Sequence, residues 1–166
     1  METVISSTPV RPGPRVPREL LERTAYLFAR LGFSLKARSI DEFEDAGLNP
    51  YYYSVLALLD EGACQSQARM AESLKLDRSQ MVGLLDRLEE SGWIERRRDT
   101  HDRRRHVVTL TPAGRRALER CRLIVTNLED EFLEPLDADD RVVLHDLLLR
   151  LAGHHDPRFR PLDQPA

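Results

Sequence analysis

The residues best suited to chemistry in this sequence are arginines. Of the 25 basic side chains, 23 are arginine and only two are lysine. Six arginines lie between Arg96 and Arg105 against Asp99 and Asp102, which gives this segment a charge of +4 in a chain of net charge −3. Planar guanidinium groups pair with phosphate oxygens and suit nucleic-acid grooves. The segment therefore predicts a localised anion-binding edge on an otherwise acidic body.

A second group of polar and small side chains precedes these arginines, on a predicted helix between Asp77 and Gly92. Asp77 with Gln80 three residues later is a carboxylate version of the capping box that starts a helix, and glycine is typical of a helix end. The apolar residues recur at helical steps and are predicted to be buried: Met81, Leu84, Leu85 and Leu88. The remaining side chains form an outward surface that can make hydrogen bonds: Arg78, Ser79, Gln80, Val82, Gly83 and Arg87.

The surrounding sequence predicts the elements that position these two groups. A short helix capped by Ser66 ends just before Asp77, so the two helices form a tightly joined, angular pair. Two candidate strands, residues 93–98 and 106–110, flank the charged segment and form a hairpin with a long tip. Apolar spacing and cap residues predict the other helices, from Leu20 through Leu35 and on to Ala46, after Asn49-Pro50, after Thr111-Pro112, and after Asp137.

This order of elements is that of a winged helix-turn-helix, a mainly α fold with a small β-hairpin wing and extra helices at both ends. A helix presented in this way enters the ~12 Å major groove of DNA, and a basic loop beside it reaches the adjacent backbone or minor groove. The simpler alternative is an ordinary surface helix followed by a solvated loop. Because the arginines lie at the hairpin tip directly after the outward-facing helix, the sequence favours DNA binding.

Residues 66–114 also resemble the DNA-binding lobe of the MarR family of bacterial transcription regulators. The most specific parts are LEESGWIER at 88–96, the wing motif Asp102-Arg103-Arg104, and LTPAG at 110–114. With the flanking helices, the resemblance covers residues 18–152. It implies a homodimer joined by its terminal helices, which binds a pseudo-palindromic operator in double-stranded DNA. The apolar stripes of the terminal helices agree, since mutual burial would cover them.

The resemblance implies roles for the outward face of the helix after Asp77. By the matching positions, this face reads the major groove, with Gln80 on an adenine edge and Val82 on a thymine methyl. Arg87 is the expected phosphate or wing partner. Two positions depart from the family pattern. Gly83 replaces a longer polar or basic side chain, and Lys75 occupies a turn position where glycine is common.

The wing has two implied kinds of residue. Asp102 would structure the wing by pairing with an arginine, either Arg87 or Arg98. The arginines expected to contact DNA from the wing are Arg98, Arg103, Arg104 and Arg105.

The resemblance further implies a repressor that a small effector releases from DNA. Family members commonly bind aromatic or anionic molecules in the cleft between the dimerisation and DNA-binding lobes. A helix that begins at Tyr51 would lie near that cleft. The candidate pocket residues are Phe28, Tyr52 and Arg38.

The sequence divides into five expected parts. The proline-rich start and the last segment are predicted to be flexible or extended arms. The parts are an N-terminal arm at 1–17, a dimerisation helix at 18–47, the winged helix-turn-helix lobe at 48–111, dimerisation helices at 112–152, and a C-terminal tail at 153–166.

Composition and motifs argue against some other classes of function and leave two of them open. With 41% hydrophobic and 32% charged residues and no apolar run near ~18 residues, the expectation is a globular protein of the cytoplasm. The sequence has no phosphate-binding glycine loop, nucleophile elbow or paired metal motif, so no enzyme activity, cofactor or metal is expected. Cys64, Cys121 and the histidines leave open a thiol- or metal-responsive regulator. A winged-helix adaptor that binds protein instead of DNA is the remaining alternative.

Overall fold

The structure, a computed structural model, describes residues 15–62, 67–98 and 106–160, without the side chains of Arg98 and His106. It is mainly helical with one antiparallel hairpin, as the sequence predicts. The elements are α1 (Arg18–Leu21), α2 (Thr24–Asp45), α3 (Pro50–Asp60), α4 (Gln67–Leu74), α5 (Arg78–Glu90), β1 (Ile94–Arg98), β2 (His106–Leu110), α6 (Pro112–Phe132), α7 (Ala138–His155) and a 3-10 turn (Pro157–Phe159).

The described residues fall into two compact units, with the division between Ala37 and Arg38. In the first unit the predicted continuous helix from Leu20 is wrong, because α1 ends at Leu21 and α2 begins at Thr24. The amide of Arg23 bonds the carbonyl of Leu20 in a tighter turn, and the Arg23 carbonyl then accepts the amides of the next helix. The expected extension to the region of Ala46 is confirmed, since α2 runs to Asp45.

The core of the second unit lies between α3, α4, α5, the hairpin and α6. Its side chains are almost completely buried, and each contributes at most about 1.5–3 kcal/mol relative to an exposed position. The largest are Val55, Leu56, Met70, Met81, Leu85, Leu88, Ile94, Val108 and Leu118. This core fixes one face of α5 against the lobe and leaves the opposite face outside.

The starts of α3, α6 and α7 follow the caps that the sequence predicts, whereas the predicted cap of α4, Ser66, lies outside the described residues. The side chain of Asn49 accepts the Tyr51 amide before α3, and that of Asp137 accepts the Asp140 amide before α7. Before α6, the Thr111 hydroxyl accepts the Gly114 amide and donates to the Gly92 carbonyl. That pair of bonds ties the start of α6 to the end of α5.

Two features of the fold differ from common patterns. Among the described residues, Lys75 is the one non-glycine residue with a positive φ, 52°, in the turn between α4 and α5. The second feature is the segment that follows the expected boundary at residue 152. Helix α7 continues to His155, Gly153 is buried, and a 3-10 turn follows.

Candidate nucleic-acid interface

Helix α5 presents the outward face that the sequence predicts. The capping box is complete, because Asp77 accepts the Gln80 amide at 2.8 Å and the Gln80 side chain accepts the Asp77 amide at 3.1 Å. Met81, Leu85 and Leu88 are buried. The predicted face is exposed except for Val82, which is half-buried: Arg78, Ser79, Gln80, Val82, Gly83 and Arg87.

The N-terminal turn of α5 already uses part of this polar face. The Ser79 hydroxyl donates to Asp77 at 2.7 Å, and Gln80 contributes its side-chain oxygen to the cap. The pKa of the Asp77 carboxyl is lowered, first by the Gln80 amide and then by the Ser79 hydroxyl. The carboxylate is therefore ionised at neutral pH and accepts hydrogen bonds from the Ser79 hydroxyl and the Gln80 backbone amide. The free donor of Gln80 is its amide nitrogen.

The middle of the α5 face contains a shallow concavity. Leu84, predicted to be buried, is only half-buried and lines it beside Gly83. A Cβ placed on Gly83 would meet nothing within 4 Å. The other lining residues are Tyr51, Leu76, Gln80 and Arg87. The absent side chain at Gly83 thus leaves a gap between Gln80 and Arg87, which lie one helical turn before and after it.

Arg96 connects the hairpin to α5. Its guanidinium Nη2 lies 2.6 Å from Asp86 Oδ1, and its Nε lies 3.5 Å from Glu89 Oε2. Neither nitrogen makes a directional hydrogen bond within the described part of the chain, so the attraction is mainly Coulombic. The backbone amide of Arg96 also donates to Glu89 at 3.3 Å. The side chain is 18% exposed, and it fixes strand β1 beside the C-terminal half of α5.

This role of Arg96 is not among those predicted from the sequence. A signal was present, because side chains alternate along a strand and Arg96 shares the face of the buried Ile94. Its neighbour Arg97 is on the other face, 76% exposed, and pairs with Glu95 at 2.6 Å. The wing residues Asp102, Arg103, Arg104 and Arg105 and the Arg98 side chain lie outside the described residues. The Asp102 pairing therefore stays a prediction.

The effector candidates make contacts of different kinds. Tyr52 packs edge-on against Trp93, with ring centroids 5.8 Å apart, beside the main core. Arg38 donates to Glu131 of α6 at 2.6 Å. Phe28 belongs to the first unit, where it is 54% exposed. The contacts of Tyr52 and Arg38 explain their conformations without a ligand, and the pocket stays a prediction.

Cys121 lies in a small second core with Phe43 and Leu48 and is fully buried. Burial raises the pKa of its thiol, so the protonated form is favoured at neutral pH. Cys64 lies outside the described residues. Within the part of the chain that the structure covers, no group of three His, Cys, Asp or Glu side chains could hold a metal ion, and no helix is long and apolar enough to cross a membrane.

Comparisons with known proteins agree with this geometry. The model of the MarR family matches residues 48–106. A Thauera aromatica protein named for transcriptional regulation of the hcr operon is 33% identical over 129 residues, covering 73% of this chain and 78% of that protein. The multiple antibiotic resistance protein MarR of Escherichia coli K12 is 31% identical over 100 residues, covering 60% and 69%.

Solved structures share the fold over most of the chain. The transcriptional repressor CouR bound to a 23-mer DNA duplex is 32% identical, with a TM-score of 0.71, and the match covers 84% of this chain and 99% of that one. CouR from Rhodococcus jostii RHA1 bound to p-coumaroyl-CoA is 29% identical, with a TM-score of 0.68 and coverage of 85% and 97%. The chain belongs to the MarR family of winged helix-turn-helix transcription regulators.

Proposed function

We propose that this chain is a homodimeric repressor that binds a pseudo-palindromic operator in double-stranded DNA and leaves it when a small effector binds. One observation carries the proposal. The exposed polar face of α5 is held beside the arginine-rich hairpin by the pairing of Arg96 with Asp86 and Glu89. A reading helix and a basic wing are thereby presented together, as duplex binding requires. We assign the protein no catalytic role and place its action at DNA in the cytoplasm.

Individual contacts follow from the exposed positions. The amide nitrogen of Gln80 is available to a base edge, Val82 to a thymine methyl, and Arg87 to a phosphate. The other contributors from α5 are Arg78, Ser79 and the backbone at Gly83. The proposed wing contacts are Arg98, Arg103, Arg104 and Arg105, with Asp102 structuring the wing.

Dimerisation is assigned to the helices of 18–47 and 112–152, and DNA binding to 48–111. Apolar side chains are exposed in the single chain along α6 and α7: Leu123, Val142, Val143, Leu147, Leu148 and Leu151. So many exposed apolar residues on two helices support burial against a second copy. Two-fold symmetry would place the two α5 helices ~34 Å apart, in successive major grooves.

The proposal for the effector gives its chemical class and the residues that would line its site. The solved CouR complex with p-coumaroyl-CoA supports the expected class of effector, a small aromatic or anionic molecule. Phe28, Tyr52 and Arg38 are the proposed lining residues. Such a molecule releases DNA only if it binds the DNA-free spacing of the α5 helices more tightly than the bound spacing.

The test is selection of bound duplexes from a random DNA pool, followed by affinity measurements between about 50 and 200 mM salt. The double variant Arg103→Ala, Arg104→Ala should bind more weakly and flatten the slope of log K against log salt by about 1 per lost phosphate contact. The matched control is Arg15→Ala with Arg18→Ala, which removes the same charge outside the helix-turn-helix lobe.

Each other outcome favours a different function. An unchanged slope in the wing variant would contradict the wing assignment. Retention of no duplex, together with a stable protein partner, would replace the regulator by the adaptor. Loss of DNA binding on thiol blocking or on chelation would favour a thiol- or metal-responsive regulator. Selected duplexes can then be screened for compounds that release the protein.

A further inference from the structure

The C-terminal segment after α7 returns to the turn of the helix-turn-helix. The Nη1 of Arg158 donates to the carbonyl oxygens of Glu72 at 2.8 Å and Ser73 at 3.2 Å. Both carbonyls belong to the last turn of α4, where a helix carries partial negative charge and a cation is stabilising. Arg158 lies 86 residues after Glu72 in the sequence, and it supplies hydrogen-bond donors to the C-terminal end of α4.

Asp156 joins this arginine to the turn itself. Its Oδ1 accepts from the Arg158 backbone amide and from Nε at 2.9 Å, and its Oδ2 lies 3.0 Å from Lys75 Nζ. The Asp156 side chain is 16% exposed. Hydrogen bonds from Arg158, and then from Lys75, lower the pKa of this carboxyl, so it stays ionised over the neutral range.

Lys75 occupies the position in this turn where glycine is the usual residue. Its amide bonds the Glu72 carbonyl, and the Leu76 amide bonds the Ala71 carbonyl at 2.9 Å, which is a Schellman motif. The left-handed backbone conformation is unfavourable for lysine because of its Cβ, whereas glycine adopts it readily. The contacts of Lys75 with Asp156 and of Arg158 with α4 offset that cost at the joint that sets the direction of α5.

The end of α7 is itself held in place. Arg160 Nε donates to the Gly153 carbonyl at 3.1 Å, and a Cβ at Gly153 would lie 3.3 Å from the Arg160 side chain. The segment therefore connects two fixed elements, the end of α7 and the turn before α5.

We propose that Lys75, Asp156 and Arg158 form a clasp that sets the orientation of α5 relative to α7, and that Asp156 and Arg158 are positioning residues for operator binding. The proposal rests on the proposed function, since α5 is the reading helix and α7 belongs to the dimerisation lobe. The clasp then couples the position of α7 in the dimer to the direction in which α5 leaves the turn after α4. It matters most when two α5 helices must fit two half-sites at once.

The first measurement needs no DNA. Hydrogen exchange at the amides of Lys75 and Leu76 is compared in the full-length wild type and in Arg158→Gln, with Arg150→Gln as a control that removes the same charge from α7. We expect exchange about tenfold faster in Arg158→Gln and unchanged in the control. Unchanged exchange in Arg158→Gln would overturn the clasp.

The second measurement uses a selected operator and a duplex with only one of its half-sites. In Arg158→Gln and Asp156→Asn, affinity for the full operator should fall about tenfold, while half-site affinity should change less than about twofold. Arg158→Lys keeps one donor and should recover part of the loss. Equal losses on both duplexes would show a general structural role and overturn positioning, as would no loss on either.

Different results would contradict the proposed function and the positioning role of the clasp. If the wild type binds no selected duplex, the proposed function is wrong, and the positioning role falls with it, but the exchange result still decides whether the clasp exists. If the wild type binds well and the clasp variants bind equally well, only the positioning role is wrong.

Discussion

Gln80 has one observed role, in the capping box, and one proposed role, in reading a base, and both use the same side-chain amide. Its oxygen accepts the Asp77 amide at 3.1 Å, while pairing with an adenine edge uses the amide oxygen and nitrogen together. The second lone pair of the oxygen permits both bonds only if the side chain keeps its capped rotamer. The cap thus pre-orients the group proposed to read a base.

The two roles can be separated by substitution. Gln80→Glu keeps the acceptor of the capping box but loses the amide donor, so the free energy of unfolding should stay within about 0.5 kcal/mol while operator affinity falls at least tenfold, ~1.4 kcal/mol. Gln80→Met loses both roles and should also lower stability by about 0.5–1 kcal/mol. Urea unfolding and fluorescence anisotropy measure the two effects. Wild-type affinity in both variants would contradict the base-reading role.

Cys121 should be chemically silent in the folded protein. Burial raises the pKa of its thiol, and only the thiolate reacts with disulfide reagents. In a Cys64→Ser variant, where Cys121 is the remaining thiol, labelling at neutral pH should be at least about 100-fold slower in the native protein than in urea. Rapid native labelling that abolishes DNA binding would instead support a thiol-responsive regulator.

At the scale of elements, the hairpin depends on one of two adjacent arginines. Arg96 is 18% exposed and faces Asp86 and Glu89, while Arg97 is 76% exposed and pairs only with Glu95 among the described residues. Arg96→Gln leaves two carboxylates without their cation and should destabilise the protein by about 1 kcal/mol. Arg97→Gln, the matched control, should cost less than about 0.5 kcal/mol. Equal effects on urea unfolding would contradict the anchoring role of Arg96.

Replacing each of two helical glycines with alanine should change the stability of the protein in opposite directions. A Cβ on Gly114 would collide with the backbone carbonyl of Trp93, which cannot move without shifting β1. Gly114→Ala should therefore destabilise the protein by about 1–3 kcal/mol. Gly83→Ala meets open space in the middle of α5 and should stabilise the protein by about 0.5–1 kcal/mol. Thermal unfolding compares them, and a stable Gly114→Ala would show that the start of α6 is not packed against Trp93.

For the whole molecule, local signals predicted the elements and the distant contacts were missed. The caps at Asp77 and Thr111 act over three residues, so their residue types identify them. The bond between Arg158 and Glu72 joins residues far apart in sequence, and an arginine in a proline-containing tail gives no local sign of it. The break after Leu21 has no glycine or proline to mark it, so the apolar spacing suggested one continuous helix.

The dimer is the remaining prediction about the whole molecule. Leu147 and Leu151 lie one turn apart on α7 and are 43% and 50% exposed in the single chain, although burying a leucine is worth about 1.5–3 kcal/mol. If a second copy covers them, Leu147→Asp with Leu151→Asp changes four side chains per dimer and should weaken association at least 100-fold, ~2.7 kcal/mol. Sedimentation equilibrium measures this, and circular dichroism checks that the helices persist. A wild type that sediments as a single subunit at micromolar concentration, or a double variant that remains a dimer, would show that α7 is not the dimer contact.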